Sequence, residues 1–114
     1  MRFYGLMSEE RLVELSKELP EGRWIFEDLK EGKKETLDRE GAIQKLAQIA
    51  NQIKDWKKSL GYLSQGTVFA FVHDPSNPRA FKFYDTSSLG CSTSLTPPRW
   101  ILCLEELYLA ILKG

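Results

Sequence analysis

The clearest pattern of apolar and polar positions lies in the centre of the chain. From Ala42 to Leu60, apolar side chains recur at spacings of three and four, with polar and charged side chains between them. Asp38 stands where an N-cap is expected, and Gly61 stands where a helix commonly ends. The pattern therefore predicts an amphipathic helix over about Arg39 to Leu60 that lies on a sheet.

A second, shorter helical pattern lies near the start of the chain. Leu12, Leu15 and Leu19 fall on one face of a helix. Ser8 is a candidate N-cap before them, and Pro20 cannot continue the helix after them. The pattern predicts a helix that begins after Ser8 and ends before Pro20.

Three runs have the composition of β-strands. Arg23–Leu29 is rich in aromatic and β-branched residues, and Gly66–His73 is apolar on both faces. Ala80–Asp85 follows a segment of Asp, Pro, Ser and Asn, which is typical of a turn. The last two runs predict a hairpin, and a short return strand across Gly32 stays open as an addition to the first.

The C-terminal segment from Trp100 to Leu112 is apolar almost throughout, with only Glu105 and Glu106 interrupting it. We expect this segment to be a helix, and a helix that is apolar all round is either buried or part of an oligomer interface. The segment therefore predicts a homodimer, with aromatic and aliphatic anchors of the kind that dominate such interfaces. The predicted interface residues are Trp100, Leu104, Leu107, Tyr108 and Ile111.

Taken in chain order, these elements read α-β-α-β-β-α. The order predicts an α+β fold, with a small antiparallel sheet of three to four strands and helices packed mainly on one face. A chain of 114 residues is long enough to build its own core, so we expect a single domain over residues 1–114.

Composition and charge narrow the classes of protein. Hydrophobic residues make up 42% of the chain and charged residues 28%, which is typical of a globular domain. A formal net charge of zero argues against a protein whose main role is to coat nucleic acid. Residues 1–40 carry 8 Lys/Arg against 11 Asp/Glu, or −3, and residues 41–114 carry 8 against 5, or +3. A local basic face on the second part therefore stays open.

The sequence shows neither the apolar length of a membrane span nor the pattern of a secretion signal, so we expect a cytoplasmic protein without a membrane role. The two cysteines, Cys91 and Cys103, are spaced neither as a metal knuckle nor as a CxxC pair, which predicts free thiols. A single histidine and two separated cysteines fall short of a zinc set, so we expect no metal and no cofactor.

The longest run of potential ligand-binding side chains leads from Asp85 to Arg99. Because it would run into the start of the predicted C-terminal helix, it could bind a phosphate at unpaired backbone amides. It is not a P-loop, because the motif lysine is absent and Pro97 and Pro98 remove two amides. A plain connector, whose hydroxyls bond their own backbone, is the competing interpretation. The candidate ligand residues are Arg79, Lys82, Phe83, Tyr84, Ser87, Ser88, Cys91, Ser92, Thr93, Ser94 and Arg99.

The order of elements after the first helix, together with one short motif, is similar to the RNA-recognition motif. In that family an arginine or lysine starts the third strand, and two aromatic residues spaced by two stack on bases. Here Arg79 precedes Phe81 and Phe83 in a similar arrangement. The resemblance implies a ferredoxin-like sheet that exposes these two rings to RNA. The sequence departs from the family pattern, because the motif's glycine and terminal aromatic residue are absent and an additional helix precedes the sheet.

A thiol enzyme is a third possibility to consider. Cys91 lies in the hydroxyl-rich run, and a thiol near a helix N-terminus can be activated. His73 and Asp85 would complete a Cys-His-Asp set, although the spacing does not require this. Cys103 lies in the apolar segment and is expected to belong to the core.

These observations favour a non-catalytic function. We expect a small cytoplasmic adaptor, inhibitor or regulatory subunit that binds a protein partner, because the terminal segment is apolar on all sides and no catalytic motif is recognised. The alternative is a nucleic-acid or nucleotide-phosphate binding module that uses the Asp85–Arg99 run and the strand Arg79–Tyr84.

Overall fold

A computed structural model describes residues 2–61, 68–85 and 98–113 of the chain. Three α-helices and six β-strands lie within these ranges, and a single 3₁₀ turn, Glu105–Leu107, precedes the last helix. In chain order the elements are β1 (Tyr4–Leu6), α1 (Glu9–Ser16), β2 (Trp24–Asp28), β3 (Lys33–Leu37), α2 (Arg39–Leu60), β4 (Ala70–His73), β5 (Ala80–Phe83), β6 (Trp100–Leu104) and α3 (Tyr108–Lys113).

The six strands form one sheet in the order β1-β4-β5-β6-β2-β3, and every neighbouring pair is antiparallel. The α+β class is therefore confirmed. The predicted details were wrong in two respects, since the sheet has six described strands instead of three or four, and the described elements follow the order β-α-β-β-α-β-β-β-α. The weakly signalled return strand after Gly32 is present as β3.

The main hydrophobic core lies between one face of the sheet, here called the helix face, and the helices α1 and α2. The two helices pack against each other, and α2 also contacts β2 and β3. Three strands contribute fully buried side chains to this layer: β2 contributes Trp24, β5 contributes Phe81 and Phe83, and β6 contributes Leu102. At about 25 cal/mol per Å² of apolar surface, such large buried rings supply much of the driving force for folding.

Both predicted N-terminal helices form, and α2 keeps the bounds that its pattern predicted. The Asp38 side chain accepts a hydrogen bond of 2.7 Å from the amide of Gly41, which caps the first turn. Gly61 ends the helix with a φ of 59°, a conformation that favours glycine. The first helix begins after Ser8 as expected but ends at Ser16, and Leu19 is buried beyond its end.

The C-terminal segment was assigned wrongly. The first five residues, Trp100–Leu104, form β6, and only Tyr108–Lys113 is α-helical. In β6, Leu102 and Leu104 pack on the helix face, whereas Ile101 and Cys103 pack on the opposite face. A strand covered on both sides is a continuous apolar run, so its sequence lacks the alternation that would distinguish it from a buried helix.

The face of the sheet opposite α1 and α2, here called the second face, has a smaller core. Ile111 of α3 packs there on Ala80, Ile101 and Cys103. The prediction that helices lie mainly on one face therefore holds for α1 and α2, but α3 lies on the other side. Among the described residues, no helix is long and apolar enough to cross a membrane.

Candidate functional site

The five predicted interface residues do not form one surface. Trp100 packs against the helix-face core and Leu104 is buried there, because both belong to β6. Ile111 is buried on the second face, with Leu107 and Tyr108 packed partly beside it. These side chains were assigned to one continuous helix, but a strand followed by a helix divides them between the two sides of the sheet.

The exposed apolar surface of α3 is formed by two other residues. Leu109 is 67% exposed and Leu112 is 49% exposed, and they lie three positions apart on the helix. Residues three apart on a helix are neighbours on its surface. The outer face of α3, here defined by Leu109 and Leu112, is therefore an apolar strip that faces away from the sheet.

The inner side of α3 holds the helix in place. The Tyr108 hydroxyl donates a 2.6 Å hydrogen bond to Glu27 Oε1, and Lys34 Nζ lies 4.8 Å from the centroid of the Tyr108 ring. This hydrogen bond, helped by burial and by the charge of Glu27, raises the pKa of Tyr108 to about 12. Together with the buried Ile111, these contacts fix the helix and leave its leucines exposed.

The hydroxyl-rich run begins and ends at an ion pair. Arg99 Nη1 donates a 3.0 Å hydrogen bond to Asp85 Oδ2, and the Asp85 residue is buried. The Arg99 guanidinium also lies 5.1 Å from the Trp100 ring centroid, a cation–π geometry. The predicted helix N-terminus does not follow Arg99, since β6 begins at Trp100, so the argument for phosphate binding at a helix start fails. Of the candidate ligand residues, Ser87, Ser88, Cys91, Ser92, Thr93 and Ser94 lie outside the described ranges.

A second carboxylate, Asp28, joins this ion pair to the aromatic core. Its Oδ1 accepts hydrogen bonds of 3.0 Å from the amides of Lys30 and Glu31, and its Oδ2 accepts one of 3.1 Å from the Trp100 indole. Burial alone would raise the pKa of Asp28, but these hydrogen bonds and the nearby Arg99 charge outweigh it and lower the pKa. Both oxygens are engaged, so Asp28 is a structural acceptor that is poorly placed to act as a general base.

An open groove of about 460 Å³ lies beside Asp28 on the helix face. Phe26 contributes an aromatic wall, and Lys45 Nζ lies 4.5 Å from the centroid of that ring. Lys45 also forms a 3.1 Å ion pair with Glu35. The lysine thus covers the ring face that a flat ligand would stack on, and its charge is already balanced.

The predicted ligand residues on and around β5 do not converge. Phe83 is fully buried in the helix-face core, where it stacks with Phe81 at a centroid distance of 6.0 Å. Neither ring can stack on a base, and the expectation drawn from the RNA-recognition motif is wrong. Arg79 precedes β5, whereas the Arg99 amide bonds the carbonyl of Phe83 at its other end. Four residues separate Arg79 from Phe83, and a strand rises about 3.3 Å per residue, so the backbones of Arg79 and Arg99 lie roughly 13 Å apart.

Lys82 and Tyr84 belong instead to an aromatic group on the second face. Lys82 Nζ lies 4.5 Å from the centroid of the Phe3 ring, and Tyr84 meets Phe71 edge to face at 5.5 Å. His73 completes the group, 5.8 Å from Phe3, and its Nδ1 donates a 2.7 Å hydrogen bond to the carbonyl of Arg2. Burial lowers the pKa of Lys82 and raises that of Tyr84. We call these five half-buried residues (Phe3, Phe71, His73, Lys82 and Tyr84) the second-face aromatic patch.

The described residues offer little for nucleophilic or metal chemistry. The Cys103 thiol is buried, and this burial, followed by the charge of Glu27, raises its pKa to about 12. A thiol of that pKa carries almost no thiolate at neutral pH. No group of three or more potential metal-ligating side chains occurs in ranges 2–61, 68–85 and 98–113. The proposed partners of Cys91 also lack a common site, since Asp85 pairs with Arg99 and His73 bonds Arg2.

Some of the residues that were missed carried a signal in the sequence. Leu109 and Leu112 were inside the predicted helix, but they were left out of the predicted interface, two of whose five residues came from the segment that forms β6. Phe71 was visible as part of a run that is apolar on both sides, with nothing to indicate which side faces the two large helices. Phe3 carried no signal, because it only precedes β1, a strand of three residues.

Comparison with known proteins places the chain in a family without assigning an activity. No model of a known protein family matches the chain, and no solved structure matches it. It is similar to an uncharacterized protein of Aquifex aeolicus (strain VF5), with 49% identity over 107 residues that cover 94% of this chain and 87% of the relative. The chain belongs to the same family as that protein. Because the relative is itself uncharacterized, the function has to be inferred from the physical features of the fold.

Proposed function

We propose that this protein is a non-catalytic cytoplasmic interaction protein, acting as an adaptor, inhibitor or regulatory subunit, and that it binds a protein partner through the outer face of α3. The observation that carries the proposal is the exposure of Leu109 and Leu112, at 67% and 49%, on a helix whose other side is anchored. Exposed leucines three positions apart on a helix are typical anchors for an apolar groove on a partner.

The anchoring of α3 supports this role energetically. Binding costs free energy when a flexible segment has to be ordered, and an already fixed helix reduces that cost. Tyr108 and Ile111 fix the inner side through a hydrogen bond and a buried contact. The leucine side chains are thus presented without a folding step.

The charges beside the helix indicate the chemistry of the partner. Glu105 and Glu106 are exposed immediately before α3. Glu105 is paired with the exposed Arg23 at 3.5 Å, so the proposal relies on the charge of Glu106. Charged residues at the rim of an interface direct association and exclude wrong partners. We therefore propose a partner protein that offers an apolar groove with a basic rim.

Pull-down from a native lysate with matched variants tests this proposal. Leu109→Lys places a charge on the outer face of α3, and Val13→Lys places the same charge on another exposed aliphatic position, in α1. We expect a partner to be retained by the wild-type protein and by Val13→Lys, and to be reduced at least about tenfold by Leu109→Lys.

Two results would contradict the proposal. One is recovery of the same proteins, in the same amounts, by Leu109→Lys and by the wild-type protein. The other is recovery of the homo-oligomer alone, since an adaptor needs a different partner. Circular dichroism of each variant separates a lost interface from a lost fold.

A second candidate function, binding of single-stranded nucleic acid or a nucleotide, is favoured by the second-face aromatic patch. Phe71 and Tyr84 are half-buried beside Lys82. Aromatic rings that stack on bases, combined with positive charge for phosphates, are the usual elements of such sites. Of the ligand residues predicted from the sequence, this candidate site includes Lys82 and Tyr84. It does not include Arg79, Phe83 or Arg99.

Fluorescence anisotropy with a labelled single-stranded oligonucleotide tests the second candidate. Affinity should fall as salt rises, and Lys82→Ala should weaken binding severalfold because a phosphate contact is lost. Lys58→Ala, which removes an exposed charge on α2, is the matched control and should leave affinity unchanged. Absence of salt-dependent binding, or equal losses in the two variants, would remove this candidate.

A further inference from the structure

Three of the lysine side chains that the structure describes are half-buried, and they differ in their partners. Lys45 forms a 3.1 Å ion pair with Glu35, and Lys57 forms a 2.9 Å ion pair with Glu9. Lys82 forms no ion pair with a carboxylate in the described part of the chain. Charged groups that are partly removed from water are usually paired, so Lys82 is an exception.

The surroundings of Lys82 on the second face are uncharged. Two neighbours lie opposite it on the adjacent strands, and two lie beside it along its own strand, since alternate residues of a strand point to the same face. They are Phe71 of β4, Ile101 of β6, Ala80 of β5 and Tyr84, which follows β5. The Lys82 Nζ lies 4.5 Å from the centroid of the Phe3 ring, so the contact made by the ammonium is with an aromatic ring.

Negative charge on the second face lies away from Lys82. Glu27 of β2 is separated from Lys82 by strand β6, so the two backbones are roughly 10 Å apart. Its Oε1 accepts the hydrogen bond of Tyr108. The ranges 62–67 and 86–97 contain no Asp or Glu. Other titratable side chains on this face carry no negative charge at neutral pH; they are Lys34, His73, Tyr84, Cys103 and Tyr108.

Partial burial without a carboxylate changes the chemistry of the Lys82 amine. Burial disfavours the charged form and lowers the pKa of Lys82. The Phe3 ring stabilises the ammonium, so the pKa falls by less than burial alone would give. The neutral amine is the nucleophile, and Lys82 is therefore better suited than an exposed lysine to attack a carbonyl carbon.

We propose that Lys82 is a covalent binding site for a small aldehyde with a flat apolar body, which it holds as an imine. The rings of Phe71 and Tyr84 meet edge to face at 5.5 Å beside the amine, and both are half-buried, which leaves part of each ring open to a ligand. A flat apolar ligand packs favourably on such rings. The site is separate from the outer face of α3, and it does not depend on nucleic-acid binding.

The reaction at Lys82 needs neither an oxidant nor a reductant. The lone pair of the amine forms a bond to the carbonyl carbon, and a proton passes from the nitrogen to the carbonyl oxygen to give a carbinolamine. The hydroxyl group then leaves as water with the second proton of the nitrogen, and a C=N bond remains. Because Lys82 is only half-buried, water can reach the amine and carry these protons.

Reductive trapping on the full chain tests this proposal. The protein is incubated with benzaldehyde at neutral pH, cyanoborohydride reduces the imine to a stable amine, and peptide mass spectrometry gives the labelling rate of each lysine. We expect Lys82 to be labelled at least about threefold faster than the exposed Lys58, because more of its amine is neutral and the rings hold the aldehyde. Lys45 and Lys57, which are also half-buried but paired, should be labelled more slowly than Lys58. A rate at Lys82 no higher than that at Lys58 would overturn the proposal.

A second aldehyde tests the role of the rings. Acetaldehyde has no flat body, so its preference for Lys82 over Lys58 should be smaller than that of benzaldehyde. An equal preference for both aldehydes would overturn the assignment of a flat ligand.

Two variants of one residue test the role of the missing carboxylate. Phe71→Glu places a carboxylate opposite Lys82, and Phe71→Gln places an uncharged side chain of similar size there. Lys82 should be labelled at least about threefold more slowly in Phe71→Glu than in Phe71→Gln, because the carboxylate favours the ammonium. Equal rates in two variants that circular dichroism shows to be folded would contradict the proposed cause. The comparison of lysines within the wild-type protein decides the proposal even if a variant fails to fold.

Discussion

The two faces of the sheet are built in different ways. The helix face is covered by two helices of 8 and 22 residues, and its aromatic side chains Trp24, Phe81 and Phe83 are fully buried. The second face carries a helix of six residues and half-buried rings beside Lys82. The first face supplies the main core, whereas the second presents the exposed leucines and the aromatic patch on which the two proposed functions rest.

The largest effect should come from a cavity in the helix-face core. Phe81→Ala removes a fully buried ring, which should lower the free energy of unfolding by about 3–5 kcal/mol. Urea denaturation followed by circular dichroism measures this change. Phe71→Ala, on the other side of the adjacent strand β4, is the matched control and should cost clearly less because that ring is partly exposed. If the two variants lose the same free energy of unfolding, the two faces contribute equally to stability.

A smaller effect is expected where α3 meets the second face. Ile111→Ala removes the one buried side chain of the described part of α3. It should lower the free energy of unfolding by about 2 kcal/mol, at the low end for such a change, because a six-residue helix can detach from the sheet and so avoid an empty cavity. Hydrogen exchange should show faster exchange of the α3 amides and unchanged protection in α2. Loss of protection throughout the sheet would show that α3 is part of the main folding unit.

The smallest effect concerns the hydrogen bond between Tyr108 and Glu27, which also holds the inner side of α3 on the sheet. The pKa of Tyr108 is raised to about 12, so the neutral hydroxyl is favoured by the fold. Its stabilising contribution is complete below the ordinary pKa of about 10 and is lost as pH rises through about 12. Absorbance titration should show Tyr108 ionising last, after Tyr84, whose pKa is also raised by burial.

Tyr108→Phe provides the control for that titration. The late step should disappear, and the free energy of unfolding at neutral pH should fall by about 0.5–1.5 kcal/mol, the usual net value of one hydrogen bond. If the late step persists in this variant, another tyrosine is responsible, and Tyr84 is the first to examine because burial raises its pKa as well.

The parts of the fold that were predictable are those with local signals. For α2, the apolar spacing, the Asp38 cap and the terminal Gly61 agree, and each acts within one or two turns of helix. The hairpin of β4 and β5 was predicted from the turn residues between two apolar runs. The strand β1 was not, because three residues without β-branched side chains carry too little pattern to be recognised.

The candidate sites were less predictable, because they depend on which side of a strand faces the core. Alternation along β5 shows that Lys82 and Tyr84 point one way and Phe81 and Phe83 the other. It does not show which pair is covered by α1 and α2. The prediction grouped Lys82, Phe83 and Tyr84 in one site, and the structure separates them.

The sequence by itself determined the α+β class, the bounds of α2 and the presence of a surplus of apolar residues near the C-terminus. Only the tertiary structure decided that Trp100–Leu104 is a strand, that α3 covers the second face and that β1 closes one edge of the sheet. The reason is physical. In a helix with one apolar stripe, the spacing of apolar residues shows both the helix and its buried side. A strand that is buried on both faces, or that is only three residues long, has no such pattern, and it forms because of partners distant in the chain.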